Sequence, residues 1–323
     1  MMTYPLTRRG LISGLAAVGA IAMHDSPLSA AKPKLFFERI GKPIGLQLYT
    51  LGDDFANDID GMLAKVANIG FRDLQLPQLF GKSPAELKAA GDRVGVKFSC
   101  VHLAATPGTP ATALSMLSPT QRIVDDLGAL GATGGVMPIM LFPASFKMQP
   151  GEDFRTALSR ALIEGGVDTW KRTAALLNEK AAALKPHGIH IGYHNHNMEF
   201  APIGKTTGWE ILANETDKSL VKFEVDVGWV AAGGLDPVAF LKKYKGRVRW
   251  LHAKDVQRST KTNYALQMDP TEVGSGKQDW ARILPAAYKA GVEHFYVEQE
   301  APFMMARIDS AAKGFGYLKA LKA

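Results

Sequence analysis

Cysteine is almost absent from this chain of 323 residues, which contains only Cys100. A single cysteine excludes an intramolecular disulfide and also a zinc site built from several thiolates. Any bound metal must therefore be held by imidazole and carboxylate groups. The composition, 46% hydrophobic and 21% charged residues, is typical of a globular protein with a large core.

Clusters of basic residues are missing as well, although the chain has a formal net charge of +7. A basic protein often binds nucleic acid, but such binding needs lysine and arginine gathered on one surface. Here the basic residues are scattered along the helical stretches and are not interleaved with aromatic residues. We therefore expect a solvated basic surface and no nucleic-acid partner.

No long hydrophobic run is present. The apolar stretch 11–23 follows directly after Arg8 and Arg9 and is shorter than the roughly 20 residues that cross a bilayer. Two small-residue cleavage sites are visible, Ala20-Ile21-Ala22 at the end of this stretch and Ser29-Ala30-Ala31 after it. This pattern predicts a twin-arginine (Tat) export signal over residues 1–31, although an ordinary amphipathic helix would also fit. We expect a periplasmic protein without stable membrane insertion after cleavage, with residues 32–323 as one catalytic domain.

The glycine-rich phosphate loop of dinucleotide-binding sheets is also missing after the first apolar run, where the sequence reads QLYTLGDD. Eight short apolar runs are each followed by a loop and a helical stretch. They lie at residues 44–49, 73–76, 97–102, 135–140, 189–194, 221–225, 248–252 and 294–297. This spacing predicts a (β/α)8 TIM barrel, with an open doubly wound sheet as the alternative.

The helical stretches carry clear start and stop signals. Capping boxes are predicted at Ser83–Glu86 and Ser118–Gln121, and Asp236-Pro237 predicts another helix start. Glycines predict the helix ends, at positions 70, 95, 131, 188, 246 and 291. Residues 141–166 are predicted to form a long loop on the face of the barrel that carries the site.

Ionisable residues gather where the later strands end. His194 and His196 follow strand five, Asp226 ends strand six, His252 ends strand seven and Glu298 ends strand eight. These strand ends converge in a barrel, and burying so many ionisable groups together is costly without a ligand or metal. Imidazole and carboxylate ligands favour Mn²⁺, Zn²⁺, Fe²⁺ or Co²⁺, with Mn²⁺ first because of the carboxylate content.

The phrases GYHNHNMEF, EVDVGWV, LHAKD, EVGSGKQDW and YVEQE resemble the sugar phosphate isomerase/epimerase family, a xylose isomerase-like barrel group. The resemblance runs from about residue 43 to the end of the chain. It implies one divalent metal held by residues of strands five to eight, which here are His194, Asp226, His252 and Glu298. Strand five departs from the family pattern, because many relatives have glutamate at the position of His194. His196 and Glu199 are therefore alternative metal ligands.

The same resemblance implies roles for residues around the metal. Proton transfer is expected from Glu298, His196 or Glu199, and Lys254 is expected to stabilise a developing oxyanion. Glu272 is a further residue that could reach the site. The expected substrate contacts are His102, Trp229, Tyr49 and Gln75, the last of which replaces a glutamate of many relatives.

Such a site would act on a carbohydrate through an enediolate, by isomerisation or epimerisation. Elimination from a 3-keto-glycoside or keto-cyclitol shares the same first step, so a lyase or dehydratase is an alternative, and a non-catalytic sugar-binding protein is another. Export predicts an unphosphorylated sugar or keto-sugar as the substrate. The sequence leaves homo-oligomerisation open.

Overall fold

The computed structural model describes residues 34–107, 109–143 and 146–323. The predicted export signal lies outside these residues. No described helix combines the length and the apolar character needed to cross a membrane.

Eight parallel strands close into a barrel, as the sequence predicts. Each strand pairs with its neighbours in chain order, and the barrel closes where Ile44 of the first strand pairs with Phe295 of the last. The strands are β1 (Ile44–Gln47), β2 (Asp73–Leu76), β3 (Lys97–His102), β4 (Gly134–Met137), β5 (His190–His194), β6 (Val221–Asp226), β7 (Val248–Ala253) and β8 (His294–Val297).

Eleven α-helices lie among the described residues. They are α1 (Phe36–Ile40), α2 (Asp53–Asn57), α3 (Ile59–Ile69), α4 (Pro84–Val94), α5 (Thr120–Leu130), α6 (Phe154–Leu184), α7 (Gly208–Glu215), α8 (Val227–Ala232), α9 (Pro237–Lys243), α10 (Trp280–Ala290) and α11 (Arg307–Ala320). The largest apolar core lies between the strands and these helices.

The helix starts follow the predicted chemistry in two places and depart from it in one. At α4 the Ser83 hydroxyl accepts from the Glu86 amide while the Glu86 carboxylate accepts from the Ser83 amide, which is the predicted capping box. Asp236 caps α9 as predicted. The box predicted at Ser118 is wrong, because the Ser118 hydroxyl accepts from the Ser115 amide and α5 begins without a side-chain cap.

Residues 141–166 are not one long loop. Helix α6 begins at Phe154, with Asp153 accepting two amide hydrogen bonds at its N-terminus. The helix is interrupted at Gly166, whose φ of 48° and ψ of −141° are not helical. We call residues 154–165 the outer segment of α6. This segment stands at the barrel mouth, because Phe154 and Arg155 line a cavity there.

The barrel interior is filled in layers, which sets the depth of the polar site. A buried apolar layer contains Cys100, Val136, Trp250 and Tyr296. The indole of Trp250 fills the space beside Gly192, where a Cβ atom would come within 2.6 Å of the ring. Because strand side chains alternate, His252 points inward one layer above Trp250.

Candidate active site

Glu224 of β6 is the centre of a buried cluster inside the barrel mouth. Its Oε2 atom lies 2.8 Å from His102 Nε2, 3.1 Å from His194 Nδ1 and 3.2 Å from His252 Nε2. Its Oε1 atom accepts a hydrogen bond from Gln75 Nε2 at 2.5 Å. Burial by itself raises the pKa of Glu224. The charges of His252 and His102 together outweigh burial and hold that pKa well below its usual range. Glu224 is therefore a buried carboxylate.

Lys254 is the centre of a second cluster, nearer the strand ends. Its Nζ atom lies 2.8 Å from Asp226 Oδ2, 2.7 Å from Glu298 Oε2 and 3.1 Å from Glu300 Oε1. Burial lowers the pKa of Lys254, but the three carboxylates raise it well above its usual value. The side chain is therefore a buried ammonium group. Burial also raises the pKa of Glu298, even though Lys254 opposes that shift.

His252 joins the two clusters through its two ring nitrogens. Its Nε2 atom lies 2.6 Å from Gln75 Oε1 and faces Glu224, while its Nδ1 atom lies 3.0 Å from Glu298 Oε2 and 3.6 Å from Asp226 Oδ2. Burial alone lowers the pKa of His252, but Glu224 and the other two carboxylates raise it well above its usual value. The imidazolium form is thus favoured, with acceptors at both nitrogens.

Two adjacent chambers open above these clusters. The inner chamber has a volume of about 180 Å³ and is lined by Gln47, Tyr49, His102, Pro138, His194, His196, His252, Glu298 and Glu300. The outer chamber has a volume of about 230 Å³ and is lined by Tyr49, Phe154, Arg155, His196, Trp229, Leu266, Met268, Glu300 and Ala301. The chambers share three lining residues, Tyr49, His196 and Glu300, so they are adjacent.

The residues present fit a divalent metal ion. Donor atoms of Asp226, His252 and Glu298 lie within 4.8 Å of one another, and those of His102, His194, Glu224 and His252 form a second such group. Within the described part of the chain, the buried Asp226 Oδ2 and His194 Nδ1 atoms make no hydrogen bond of good geometry, although Lys254 Nζ lies 2.8 Å from the first and Glu224 Oε2 lies 3.1 Å from the second. The Lys254 ammonium is the cation that contacts Asp226 and Glu298.

A family model described as "Xylose isomerase-like TIM barrel" matches residues 63–321. The chain belongs to this family.

Individual members of the xylose isomerase-like family are similar to this chain at low identity. The inosose dehydratase of Geobacillus kaustophilus is 25% identical over 214 residues, which cover 64% of this chain and 64% of that enzyme. The chain thus matches less than two thirds of the length of this relative.

Solved structures show the same fold. A sugar phosphate isomerase/epimerase from Parabacteroides distasonis superposes with a TM-score of 0.66 and 23% identity, covering 87% of this chain and 94% of that one. The IolI protein, solved with a zinc atom, gives a TM-score of 0.59 at 14% identity, covering 86% and 98%.

Of the four ligands that the resemblance implies, the structure places Asp226, His252 and Glu298 in one group, whereas His194 groups with His102, Glu224 and His252. Asp226, His252 and Glu298 meet directly, and the His194 ring centroid lies 4.6 Å from that of His252. His194 is also the strand-five residue that contacts Glu224. Burial and the charge of His252 lower the pKa of His194 well below its usual range, so the imidazole is neutral and able to ligate.

The alternative strand-five residues lie elsewhere. His196 lines both chambers, and its Nδ1 atom is buried without a hydrogen-bond partner among the described residues. Glu199 is fully buried and lines neither chamber. Its carboxylate accepts from the Tyr193 hydroxyl at 2.7 Å and from the His196 amide at 2.9 Å, so it positions the His196 backbone.

The expected substrate contacts divide into two groups. Tyr49 and His102 line the inner chamber, and Tyr49 and Trp229 line the outer one. Gln75 lies below the inner chamber, where it bonds to Glu224 and His252. Lys254 also lines neither chamber, because its ammonium is surrounded by carboxylates.

The sequence prediction, which considered the residues at the strand ends, omits three site residues: Gln47, Glu224 and Glu300. Glu224 precedes Asp226 by two residues and Glu300 follows Glu298 by two, so each shares the inward face of a residue that the sequence singles out. That alternation is the signal that finds them. Gln47, the last residue of β1, donates to Gln75 Oε1 at 2.8 Å.

The glycine pair in EVGSGKQDW has a structural role. The Asp255 carboxylate accepts hydrogen bonds from the amides of Gly274, Gly276 and Gln278 and from the Trp280 indole. These amides are therefore not available to a phosphate group.

Glu272 does not reach the site. It pairs with Lys313 at 3.2 Å and lines neither chamber.

Proposed function

We propose that the protein is an enzyme that removes a proton from the carbon beside a carbonyl of an unphosphorylated sugar or keto-sugar. Return of the proton to another carbon or to the other face makes it an isomerase or epimerase. The observation that carries this proposal is the inner chamber, where ionisable groups line a cavity at the ends of β3, β5, β7 and β8. Among them, burial lowers the pKa values of His194 and His196 and raises that of Glu298.

Two residues of the inner chamber are suited to proton transfer. Burial raises the pKa of Glu298, which makes its carboxylate a stronger base than an ordinary glutamate. Burial and the Lys254 charge lower the pKa of His196 to about 4, so its imidazole is neutral near pH 7 and able to accept a proton. The inner chamber therefore carries two proton acceptors, Glu298 and His196.

Hydrogen-bond donors for the substrate oxygens are also present. The Glu300 charge and burial raise the pKa of Tyr49 to about 12, so its hydroxyl keeps its proton at any physiological pH. Tyr49 lines both chambers and is half-exposed, which lets it donate to an oxygen of a bound sugar. Lys254 lies behind Glu298 and sets the charge balance of the carboxylates without lining the cavity.

A divalent metal is part of the proposal. Bound by Asp226, His252 and Glu298 with His194 as the strand-five donor, it would polarise the substrate carbonyl and acidify the neighbouring C–H bond. The carboxylate content favours Mn²⁺, whereas the zinc atom of the IolI structure supports Zn²⁺ as the alternative. Elemental analysis of protein purified without chelators tests this, and less than about a tenth of an equivalent, with no metal-dependent rise in melting temperature, would reject it.

The second candidate is a dehydratase or lyase that ejects a substituent after the same proton removal. The similarity to an inosose dehydratase supports it.

The lining of the inner chamber supports an unphosphorylated substrate. It includes the carboxylates of Glu298 and Glu300. None of the described residues that line this chamber is a lysine or an arginine. The periplasmic location remains a proposal, supported by Arg8 and Arg9 before the apolar stretch. Export of a reporter fused to residues 1–31, lost in cells without the Tat machinery, tests it.

The reaction is tested with 3-keto-glucosides and free ketoses in D2O, followed by NMR. Deuterium should enter the carbon beside the carbonyl, and the exchange should slow by about 100-fold or more in Glu298→Gln. Isomers or epimers identify the first candidate, and an unsaturated product identifies the second. Tyr288→Phe, at an exposed position on α10, is the control that should retain the wild-type rate. Absence of both exchange and product in the wild type, with Mn²⁺ and with Zn²⁺, would reject the proposal.

A further inference from the structure

The volume of the cavity bears on the size of the substrate. The inner chamber of about 180 Å³ and the outer chamber of about 230 Å³ each fall below the typical range of ligand pockets, which begins near 300 Å³. Only the two chambers together reach that range. Because they share Tyr49, His196 and Glu300, the two chambers are adjacent.

The outer segment of α6 forms one wall of the outer chamber. Its first turn contributes Phe154, which is 47% exposed, and Arg155. The segment is held in place from behind, since Arg160 pairs with Glu152 at 2.9 Å and the Phe154 ring packs 6.2 Å from that of Phe142. No acidic side chain of the described residues pairs with Arg155. An aromatic ring and a guanidinium group thus line the mouth of the site.

The loop after β7 forms the opposite wall, with Leu266 and Met268 facing the chamber. Asn197 fixes this loop, because its side chain donates to Asn263 Oδ1 at 2.8 Å and accepts from the Leu266 amide at 3.0 Å. Leu266 has a φ of 53°, a conformation that costs a non-glycine residue free energy. The loop therefore holds a strained residue against the cavity, next to the strand-five segment that carries His196.

The chemistry of the two chambers differs. The inner chamber is rich in imidazole and carboxylate groups, as a polyhydroxylated reacting unit requires. The outer chamber offers Phe154, Trp229, Leu266 and Met268 as apolar surface, with Arg155 as a donor at its edge. An aromatic surface beside a hydrogen-bond donor suits a sugar ring, whose apolar face packs on aromatic rings and whose hydroxyls accept from guanidinium.

We propose that the outer chamber binds a second sugar ring joined to the reacting one by a glycosidic bond. The substrate is then a keto-disaccharide or longer keto-glycoside, and free monosaccharides are poor ligands. Phe154 and Arg155 determine this specificity. The proposal rests on the proposed function, because it assumes that the keto-sugar unit occupies the inner chamber.

Binding without turnover tests the proposal. In a Glu298→Gln background, calorimetry would compare 3-keto-glucose with 3-keto-cellobiose. We expect the disaccharide to bind at least about tenfold more tightly. Phe154→Ala and Arg155→Ala should each weaken disaccharide binding by about three- to tenfold and leave monosaccharide binding within about twofold.

Ile163→Ala is the matched control, because Ile163 lies on the same helical segment, is 80% exposed and does not line the outer chamber. It should bind both sugars as the parent protein does. Phe154→Leu, which keeps an apolar side chain, should retain part of the disaccharide preference. Circular dichroism confirms that each variant is folded.

Equal affinity for the two sugars, or an unchanged preference in both alanine variants, would overturn this inference and leave the proposed function intact. Failure of both sugars to bind would overturn the inference and the proposed function together.

Discussion

Lys254 and Glu298 form an ion pair of 2.7 Å in which neither side chain is more than 4% exposed to solvent. Asp226 lies 2.8 Å from the same ammonium. Two buried carboxylates thus share one cation, and breaking a buried pair leaves an uncompensated charge. This makes Lys254 the residue that decides how the carboxylates are held before any metal binds.

Lys254→Met should lower the free energy of unfolding by about 3–5 kcal/mol in the presence of a chelator, because Asp226 and Glu298 lose their counter-ion. Added Mn²⁺ or Zn²⁺ should restore part of that loss, since the metal would replace the ammonium. Urea unfolding with and without metal measures both effects. Lys180→Met is the control, because Lys180 is buried but donates to the Ser118 carbonyl. An equal response to metal in both variants would contradict this account.

Glu224→Gln should lower the pKa of the His252 imidazole, because Glu224 is the largest of the influences that raise it. NMR titration of the ring signals measures the shift. The His190 signal is an internal reference, since burial and Arg249 lower its pKa at the other end of β5. Loss of the carboxylate also disrupts a buried charge network, so we expect unfolding to become easier by about 3 kcal/mol. A His252 pKa that stays raised would show that Asp226 and Glu298 hold its proton.

Glu199→Gln should change how stability depends on pH. Burial raises the pKa of Glu199 from 4.5 to about 7, so the folded state keeps a proton that the unfolded state loses between those pH values. The contribution of this group to the free energy of unfolding therefore falls by about 3 kcal/mol as pH rises from about 4.5 to 7. Above pH 7 the contribution is constant. The variant should lack this fall, so its stability relative to wild type should rise across the window. Urea unfolding at intervals from pH 4.5 to 8 measures it.

Glu152→Gln is the control, because the pKa of Glu152 is shifted in the opposite direction to that of Glu199. Its hydrogen bond to Arg160 lowers the pKa of Glu152, so the stability it contributes is lost only as pH falls through the folded pKa. That variant should show no gain between pH 5 and 7. The same gain in both variants would mean that Glu199 is ionised in the folded protein.

Asp255→Asn should destabilise the loop that follows β7, because one amide oxygen cannot replace a carboxylate that accepts from four backbone amides and the Trp280 indole. Unsatisfied buried donors cost about 1–3 kcal/mol each, so a loss of about 3 kcal/mol is expected. Thermal and urea unfolding measure it. Asp279→Asn is the matched control, because Asp279 caps α10 and asparagine caps equally well. A loss no larger than that of the control would refute the structural role of Asp255.

The β/α alternation of this chain is readable from sequence because it is local. Period-two apolar runs, glycines after helices and the Ser83 box each act within a few residues, and all eight strands lie where they are predicted to within three residues. Ser118 shows the limit of such signals, because a competing partner three residues away removes it from the cap. The outer segment of α6 shows another, since a helix broken at Gly166 resembles a loop in sequence.

The sequence by itself determined which residues stand at the strand ends and which face of each strand they share, because side-chain alternation and strand order follow from the chain. Only the tertiary structure decided which charges meet. Lys254 contacts Glu298 across 44 positions of sequence, and Glu224 gathers histidines from three strands. Those distances are set by barrel closure and by the layers below the site, and no local pattern encodes them.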